Sequence, residues 1–242
     1  MDGLINVNKP QGITSYDVIR FLKRTFHPRE KIGHAGTLDP LAEGVLLVCL
    51  GQATRLSPAL MGLEKEYMAT LLLGVETDTL DSQGRVMAEH PVEVSPEQVK
   101  KVVFSFQGEI QQVPPSVSAL KYQGMPLYKH YRKGRPVIPA ARTVMIREIS
   151  VLKIDLPRVE FKVVCSRGTY VRALCRDIGQ KLGCGGTQIA LRRTRIGPFR
   201  IEESFSLPEI EKKGLAAVVL PLPVVVQKLE EEKELPFSAE RP

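Results

Sequence analysis

A polar, glycine-rich stretch, Gly33-His34-Ala35-Gly36-Thr37-Leu38-Asp39-Pro40-Leu41-Ala42-Glu43-Gly44, runs without a break into the aliphatic Val45-Leu46-Leu47-Val48. The aliphatic run must be buried and the polar one resists burial. The junction is therefore expected to be a loop that feeds a core strand and is held rigidly at one end. Such a loop suits a reactive side chain. Gly33 and Gly36 permit positive φ and the close approach of a ligand. Pro40 pushes Asp39 towards extended geometry and restricts where its carboxylate can point. Asp39 is the candidate for chemistry. A plainer reading makes Asp-Pro only a turn, with Asp39 bonding its own backbone.

The 242 residues are 43% hydrophobic and 25% charged, an ordinary balance for a globular chain of one large or two modest domains. No apolar run approaches membrane-spanning length, and Met1-Asp2-Gly3-Leu4 lacks the basic-then-apolar layout of a secretion leader. A cytoplasmic protein without membrane association is expected. Cys49, Cys165, Cys175 and Cys184 form no Cys-x-x-Cys pair and have no histidine at ligand spacing. Buried thiols are expected, with neither metal nor disulfide. A net charge of +7 points to a polyanionic partner where the cations cluster.

Leu4–Asn8 reads as a strand that ends at the turn Lys9-Pro10-Gln11-Gly12. Thr14-Ser15 cap a helix in which Val18, Phe21, Leu22 and Phe26 recur at helical spacing, ending near His27-Pro28. Val45–Leu50 and Glu66–Gly74 read as strands, the second mostly apolar on both faces. Thr77–Gly84 is a polar turn after which Arg85–Ala88 can pair back. Ser95-Pro96-Glu97-Gln98 is a capping box for a helix with Val99, Val102, Val103 and Phe106 inward and Gly108 as its stop. Residues 111–142, rich in proline, glycine and basic side chains, read as an irregular insertion. Strands over 143–155 and 158–166 follow. Arg167-Gly168-Thr169 then turns into a helix with Val171, Leu174, Cys175, Ile178 and Leu182 inward and Gly183 at its end. Irregular interleaving with many hairpins fits an α+β fold, a mixed, largely antiparallel sheet with flanking helices, better than strict β-α-β alternation. Lys228–Leu235 reads as a charged run of helical character and Pro236–Pro242 as a frayed tail.

Three groupings could carry chemistry. Arg172, in the first turn of the helix after Tyr170, could fork onto the Asp39 carboxylate. That would mainly orient a group already ionised at neutral pH; the alternative is a solvated helix arginine. Tyr67 and Tyr170 could hold a nucleobase by stacking while a hydroxyl moves a proton, or be half-buried sheet residues. The third is the stretch 121–135, where Lys121, Tyr122, Tyr128, Lys129, Tyr131 and Arg132 interleave cations with rings, followed later by Arg192, Arg193, Arg195 and Arg200. That mixture suits phosphate contacts and base stacking. No phosphate-binding glycine loop, Rossmann fingerprint or nucleophile elbow occurs, so nucleoside triphosphate chemistry is not expected.

With these residues in hand, the chain resembles the bacterial tRNA pseudouridine-55 synthases, the TruB family. The resemblance rests on Lys9-Pro10-x-Gly12-x-Thr14-Ser15, Gly33-His34-x-Gly36-Thr37-Leu38-Asp39-Pro40-x-Ala42-x-Gly44, Lys65-Glu66-Tyr67 and Thr77-Asp78-Thr79-x-Asp81. It continues through Ser118-Ala119-x-Lys121-Tyr122-x-Gly124-x-x-Leu127-Tyr128, Gly168-Thr169-Tyr170-Val171-Arg172 and Leu191-Arg192-Arg193. It implies a pseudouridine synthase fold with an inserted RNA-binding segment. The activity implied is isomerisation of one T-loop uridine of tRNA without metal or cofactor: the base leaves C1′, turns, and rejoins through C5.

On this resemblance Asp39 is the catalytic aspartate, acting as nucleophile or as base at the sugar. Tyr67 stacks on the target base and is a candidate for proton removal; Arg172 is the aspartate's ion-pair partner, with Tyr170 beside it. His34 helps to hold the flipped loop, Lys9 and Leu191 support the pocket, and Asp81 belongs to the same motif set. Lys121, Tyr122, Lys129, Arg132, Arg192 and Arg193 are expected to contact RNA. The catalytic domain is expected over 1–220. Many relatives continue into a PUA-type RNA-binding module, for which 221–242 is too short. A monomer working on the tRNA T-arm is expected. The alternatives are the same chemistry on another RNA, or a non-catalytic factor that remodels the T-arm.

Overall fold

A computed structural model describes residues 1–234, so the expected tail Pro236–Pro242 lies outside the described residues. The chain forms two compact units: 1–65 with 192–242, and the intervening 66–191. The second unit is thus an insertion within the first.

The first unit begins with strand β1 (Gly3–Lys9), helix α1 (Ser15–Phe26) and strands β2 (Ile32–Ala35) and β3 (Glu43–Leu50). Thr14 and Asp17 close a capping box on α1, and His27 ends the helix in the left-handed conformation, φ 47°, as Thr14-Ser15 and His27-Pro28 predict. Helix α2 (Ser57–Gly62) follows. β1 pairs antiparallel with β3 from Gly3↔Leu50 to Lys9↔Gly44. β3 also pairs with β2, His34 opposite Val48. The apolar run in β3 is continuous because both of its faces are covered. Val45, Leu47 and Cys49 pack with Leu4, Leu60, Phe199 and Val225. Leu46, Val48 and Leu50 pack with Ile5, Val7, Val18, Leu22 and Ile210.

The second unit contains strand β4 (Lys65–Leu73, from Glu66 on), the hairpin β5 (Val75–Thr77) with β6 (Val86–Glu89), helix α3 (Pro96–Phe104) and strand β7 (Gly108–Gln112). The small hairpin β8 (Lys121–Tyr122) with β9 (Met125–Pro126) and helix α4 (Leu127–Arg132) come next. Strands β10 (Arg142–Asp155) and β11 (Arg158–Cys165) and helix α5 (Val171–Leu182) complete it. Strand β12 (Gly186–Ile196) is shared, 186–191 belonging to the second unit and the rest to the first. The strand order in the second unit is β12-β4-β11-β10-β7. β10 and β11 form an antiparallel hairpin with Ile146 opposite Cys165, and Val159, Phe161, Val163 and Cys165 are all buried on it.

The chain returns to the first unit through strand β13 (Phe199–Arg200), helices α6 (Leu207–Lys213) and α7 (Leu215–Val218), strand β14 (Leu220–Pro221) and helix α8 (Leu222–Glu234). There the order is β14-β1-β3-β12. The described pairings between named strands are antiparallel except β12 with β3, where Arg193 lies beside Gly44 in parallel register. The expected mixed, largely antiparallel α+β fold is therefore correct.

Several expectations need correction. Gly108 does not stop α3: Ser105 caps it, and Gly108, at φ 105°, opens β7. The mostly apolar β4 is not evenly buried on its two faces: Lys65, Tyr67, Ala69, Leu71 and Leu73 are buried while Met68 is exposed. The segment 111–142 is not wholly irregular. Its start lies in β7, which pairs with β10 over five residues, Arg142↔Gln112 to Ile146↔Gly108. Gln112, Pro114 and Pro115 are buried. Proline and glycine density does mark the turns there, but local chemistry cannot show that β10 supplies a partner strand. The four cysteines are buried as expected.

Candidate active site

In the first unit the loop between β2 and β3 carries Asp39. Leu38, Leu41 and Ala42 are buried at 3%, 6% and 0% exposure, while Asp39 is half-buried and Thr37 and Pro40 are exposed. The loop is therefore pinned by its apolar residues on both sides of the carboxylate. Ser15, the first residue of α1, adds a second anchor: its hydroxyl accepts from the Leu38 N–H at 2.8 Å and donates to the Leu38 carbonyl at 3.1 Å. The Gly12 N–H donates to the Pro40 carbonyl at 2.8 Å, and Gly36 turns the chain at φ 86°.

Two buried cations belong to the same region. Lys9 is fully buried at the end of β1, and its amine donates to the carbonyls of Pro10 and Ile13, each at 2.8 Å. Burial first, and the Arg193 guanidinium second, pull its pKa down to about 8, while Asp39 and Glu43 act in the opposite direction. Arg193, 1% exposed, donates through Nε to the Val45 carbonyl at 2.7 Å and through an Nη to the Gly36 carbonyl at 2.8 Å. His34 lies on β2. Burial and then Arg193 lower its pKa, so the imidazole is neutral at pH 7, and its buried Nδ1 has no hydrogen-bond partner among the described residues.

Arg193 is the clear correction to the expected RNA contacts. A guanidinium that is 1% exposed and spent on two backbone carbonyls does not reach a phosphate. The sequence carried only part of the signal. Adjacent residues of a strand face opposite ways, so of the pair Arg192-Arg193 one must point inward; Arg192 is the exposed one. Lys121, Tyr122, Lys129 and Arg132 are exposed, as an RNA-contacting surface requires.

In the second unit Tyr67 is 8% exposed on the buried face of β4. Tyr170 caps α5, and its backbone is fixed by Gln112: the Tyr170 N–H donates to Oε1 at 2.8 Å, and Nε2 donates to the Tyr170 carbonyl at 3.2 Å. Two guanidinium groups approach the ring, Arg142 at 5.1 Å and Arg172 at 5.8 Å from its centroid. Arg172 is not a solvated helix residue. It is 4% exposed and donates to the carbonyls of Thr79 at 3.1 Å and Val117 at 2.8 Å, with the Asp81 carboxylate 3.9 Å away.

Asp81 is itself held by the Thr79 hydroxyl at 2.7 Å and the Gln83 N–H at 3.0 Å. The hydroxyl of Tyr131, on α4, donates to Asp78 at 2.6 Å, which ties α4 to the loop that carries Asp81. Leu191 is half-buried on β12. Sequence reasoning missed Gln112 and the Tyr131–Asp78 contact, because each joins segments more than 50 positions apart and neither has a local signature. Among the described residues no group of three or more histidine, cysteine, aspartate or glutamate side chains could hold a metal ion.

Two family models match the chain: the N-terminal domain of the TruB family pseudouridylate synthases over residues 23–171, and the C-terminal domain of tRNA pseudouridylate synthase B over 172–227. Among curated relatives, tRNA pseudouridine synthase B of Clostridium tetani is 47% identical over 231 residues, 95% of this chain and 80% of the relative. The enzyme of the same name from Francisella tularensis subsp. novicida is 41% identical over 245 residues, 97% of this chain and 81% of the relative.

Among solved structures, a chain in a Cbf5-Nop10-Gar1 complex superposes with a TM-score of 0.68 at 36% identity, covering 87% of this chain and 54% of that one. A chain in an H/ACA RNP bound to a substrate RNA containing 2′-deoxyuridine gives 0.65 at 34% identity, covering 87% and 52%.

Proposed function

The chain belongs to the TruB family of pseudouridylate synthases, and from that premise we propose that it isomerises the T-loop uridine of tRNA to pseudouridine, with Asp39 as the essential carboxylate. The observation that carries this reading is the build of the Asp39 loop. A half-buried carboxylate is presented on a backbone anchored by Leu38, Leu41, Ala42, Ser15 and Gly12. A carboxylate in a mere surface turn would not need so many buried supports.

The reaction breaks the bond from C1′ to N1 and forms one from C1′ to C5; the C5 hydrogen leaves as a proton and N1 takes one up, so the product is an isomer. Asp39 works at the sugar. Tyr67 offers a ring for the everted base, with stacking of about 1–3 kcal/mol against an eversion cost of a few kcal/mol. Arg172 is the cation assigned to the carboxylate, its own place fixed by Thr79, Val117 and Asp81. Tyr170 orients beside it, and His34, Lys9 and Leu191 support the pocket. Exposed Lys121, Tyr122, Lys129, Arg132 and Arg192 are assigned to the T-arm backbone, which positions the RNA without reading its sequence. The chain works as a monomer, in the cytoplasm where tRNA is found. Among the described residues no helix is long and apolar enough to cross a membrane.

Tritium release from a T-arm hairpin labelled at C5 of uridine tests the assignment. Asp39→Asn should abolish release while RNA affinity stays within about threefold, since the carboxylate acts on the transition state and not on binding. Retained turnover would refute the role of Asp39.

A further inference from the structure

The Asp39 loop leaves the sheet after Ala35 and rejoins it at Glu43, and one side chain bonds the backbone at its start and just past its end. Arg193 Nε donates to the Val45 carbonyl at 2.7 Å, and its Nη donates to the Gly36 carbonyl at 2.8 Å. We propose that Arg193 is a positioning residue for the uridine isomerisation: its planar guanidinium ties Gly36, at the start of the Asp39 loop, to Val45, two residues into β3, and so sets the aim of the carboxylate. This rests on the reading of Asp39 given above.

The backbone of Arg193 completes the clasp. It lies in parallel register with Gly44, so close that a Cβ on Gly44 would stand 2.2 Å from the Arg193 carbonyl oxygen and 2.9 Å from its nitrogen. A Cβ on Gly36 would meet the guanidinium at 3.6 Å. One arginine thus meets the head of β3 through its main chain at Gly44 and its side chain at Val45, and the start of the loop through its side chain at Gly36.

Arginine suits the task because its donors form a rigid fork, whereas a lysine presents one flexible point charge. The site also explains why a charge can stay dry there. A buried cation is costly unless it is bonded or paired. Arg193 is bonded to two carbonyls, and Asp39 in the loop and Glu43 at the head of β3 both act on the neighbouring Lys9. The amine of its neighbour Lys9, also buried, is bonded to the Pro10 and Ile13 carbonyls instead.

The test compares Arg193→Lys, Arg193→Gln and, as reference, Asp39→Asn in the full chain. The measurements are single-turnover tritium release at saturating T-arm RNA, RNA affinity, and cooperative unfolding. The lysine variant keeps the charge but not the fork, and the glutamine variant keeps a donor but not the charge. Both should fold and bind RNA within about threefold of the parent, with single-turnover rates lowered about 10- to 100-fold, the penalty of a misplaced reacting group.

A rate within threefold of the parent in a folded variant overturns the proposal. So does a rate loss that saturating RNA removes, which would make Arg193 an affinity residue. Failure of both variants to unfold cooperatively also overturns it, since Arg193 would then serve the fold alone. If Asp39→Asn is inert while Arg193→Lys is normal, only the role of Arg193 falls. If Asp39→Asn retains turnover, the functional reading itself falls.

Discussion

Lys9 keeps its amine fully buried beneath the loop that carries Asp39. Its proton is held less tightly in the folded chain, with a pKa near 8, than at the ordinary lysine value of 10.5. The unfolded state therefore binds more protons between those two values. The stability that this group contributes rises with pH across that window and is lowest below pH 8. Denaturant unfolding of the parent and of Lys9→Met at pH 7 and pH 9.5 should show the parent gaining on the variant by about 1–2 kcal/mol at the higher pH. Equal shifts in both proteins would mean that Lys9 is hydrated. His34 works at the other end of the scale: its lowered pKa makes the folded chain lose stability as the pH falls below the ordinary histidine value of 6.5.

At the scale of elements, helix α5 shows how packing sharpens what periodicity suggests. Its apolar spacing and the terminal Gly183, at φ 81°, were legible in the sequence. That the helix presses on the turn before β12 was not. A Cβ on Gly179 would lie 2.2 Å from the Gly185 carbonyl carbon and 2.4 Å from the Gly186 nitrogen. Gly179→Ala should therefore cost about 3 kcal/mol or more through overpacking against backbone, although alanine is the better helix former; a thermal melt decides the matter. The capping box at Ser95 was read directly from Ser-Pro-Glu-Gln, because its donors and acceptors lie within four residues. Strand β2 was not read. Ile32–Ala35 is short and glycine-bearing, and it exists because β3 offers it an edge, Ile32↔Leu50 to Ala35↔Leu47.

For the whole molecule, the net charge of +7 divides into cations that water reaches and cations that it does not. Lys121, Lys129, Arg132 and Arg192 are exposed, whereas Lys9, Lys65, Arg172 and Arg193 are buried. Only the first set can release counterions from RNA. Replacing Lys129 and Arg132 together by glutamine should weaken T-arm binding at low salt and reduce the slope of log affinity against log salt by about 2. An unchanged slope would remove 121–135 from the RNA-binding surface. Counting cations along the sequence overstates that surface, because a count does not distinguish the two sets.

Residues that work through near neighbours were legible: the helix caps, the buried β3 run, and the motif that ranks Asp39 above other carboxylates. Each is set by local chemistry that a chain carries with it, and the family resemblance rests on those same short patterns. Tertiary structure alone decided which way each arginine of Arg192-Arg193 faces, that Gln112 fixes Tyr170, and that Arg172 is dry. These depend on partners 55 to 157 positions distant, as with Arg172 and Val117 or Arg193 and Gly36. A buried guanidinium and a solvated one are the same letters in a sequence; only the carbonyls that fold around one of them set it apart.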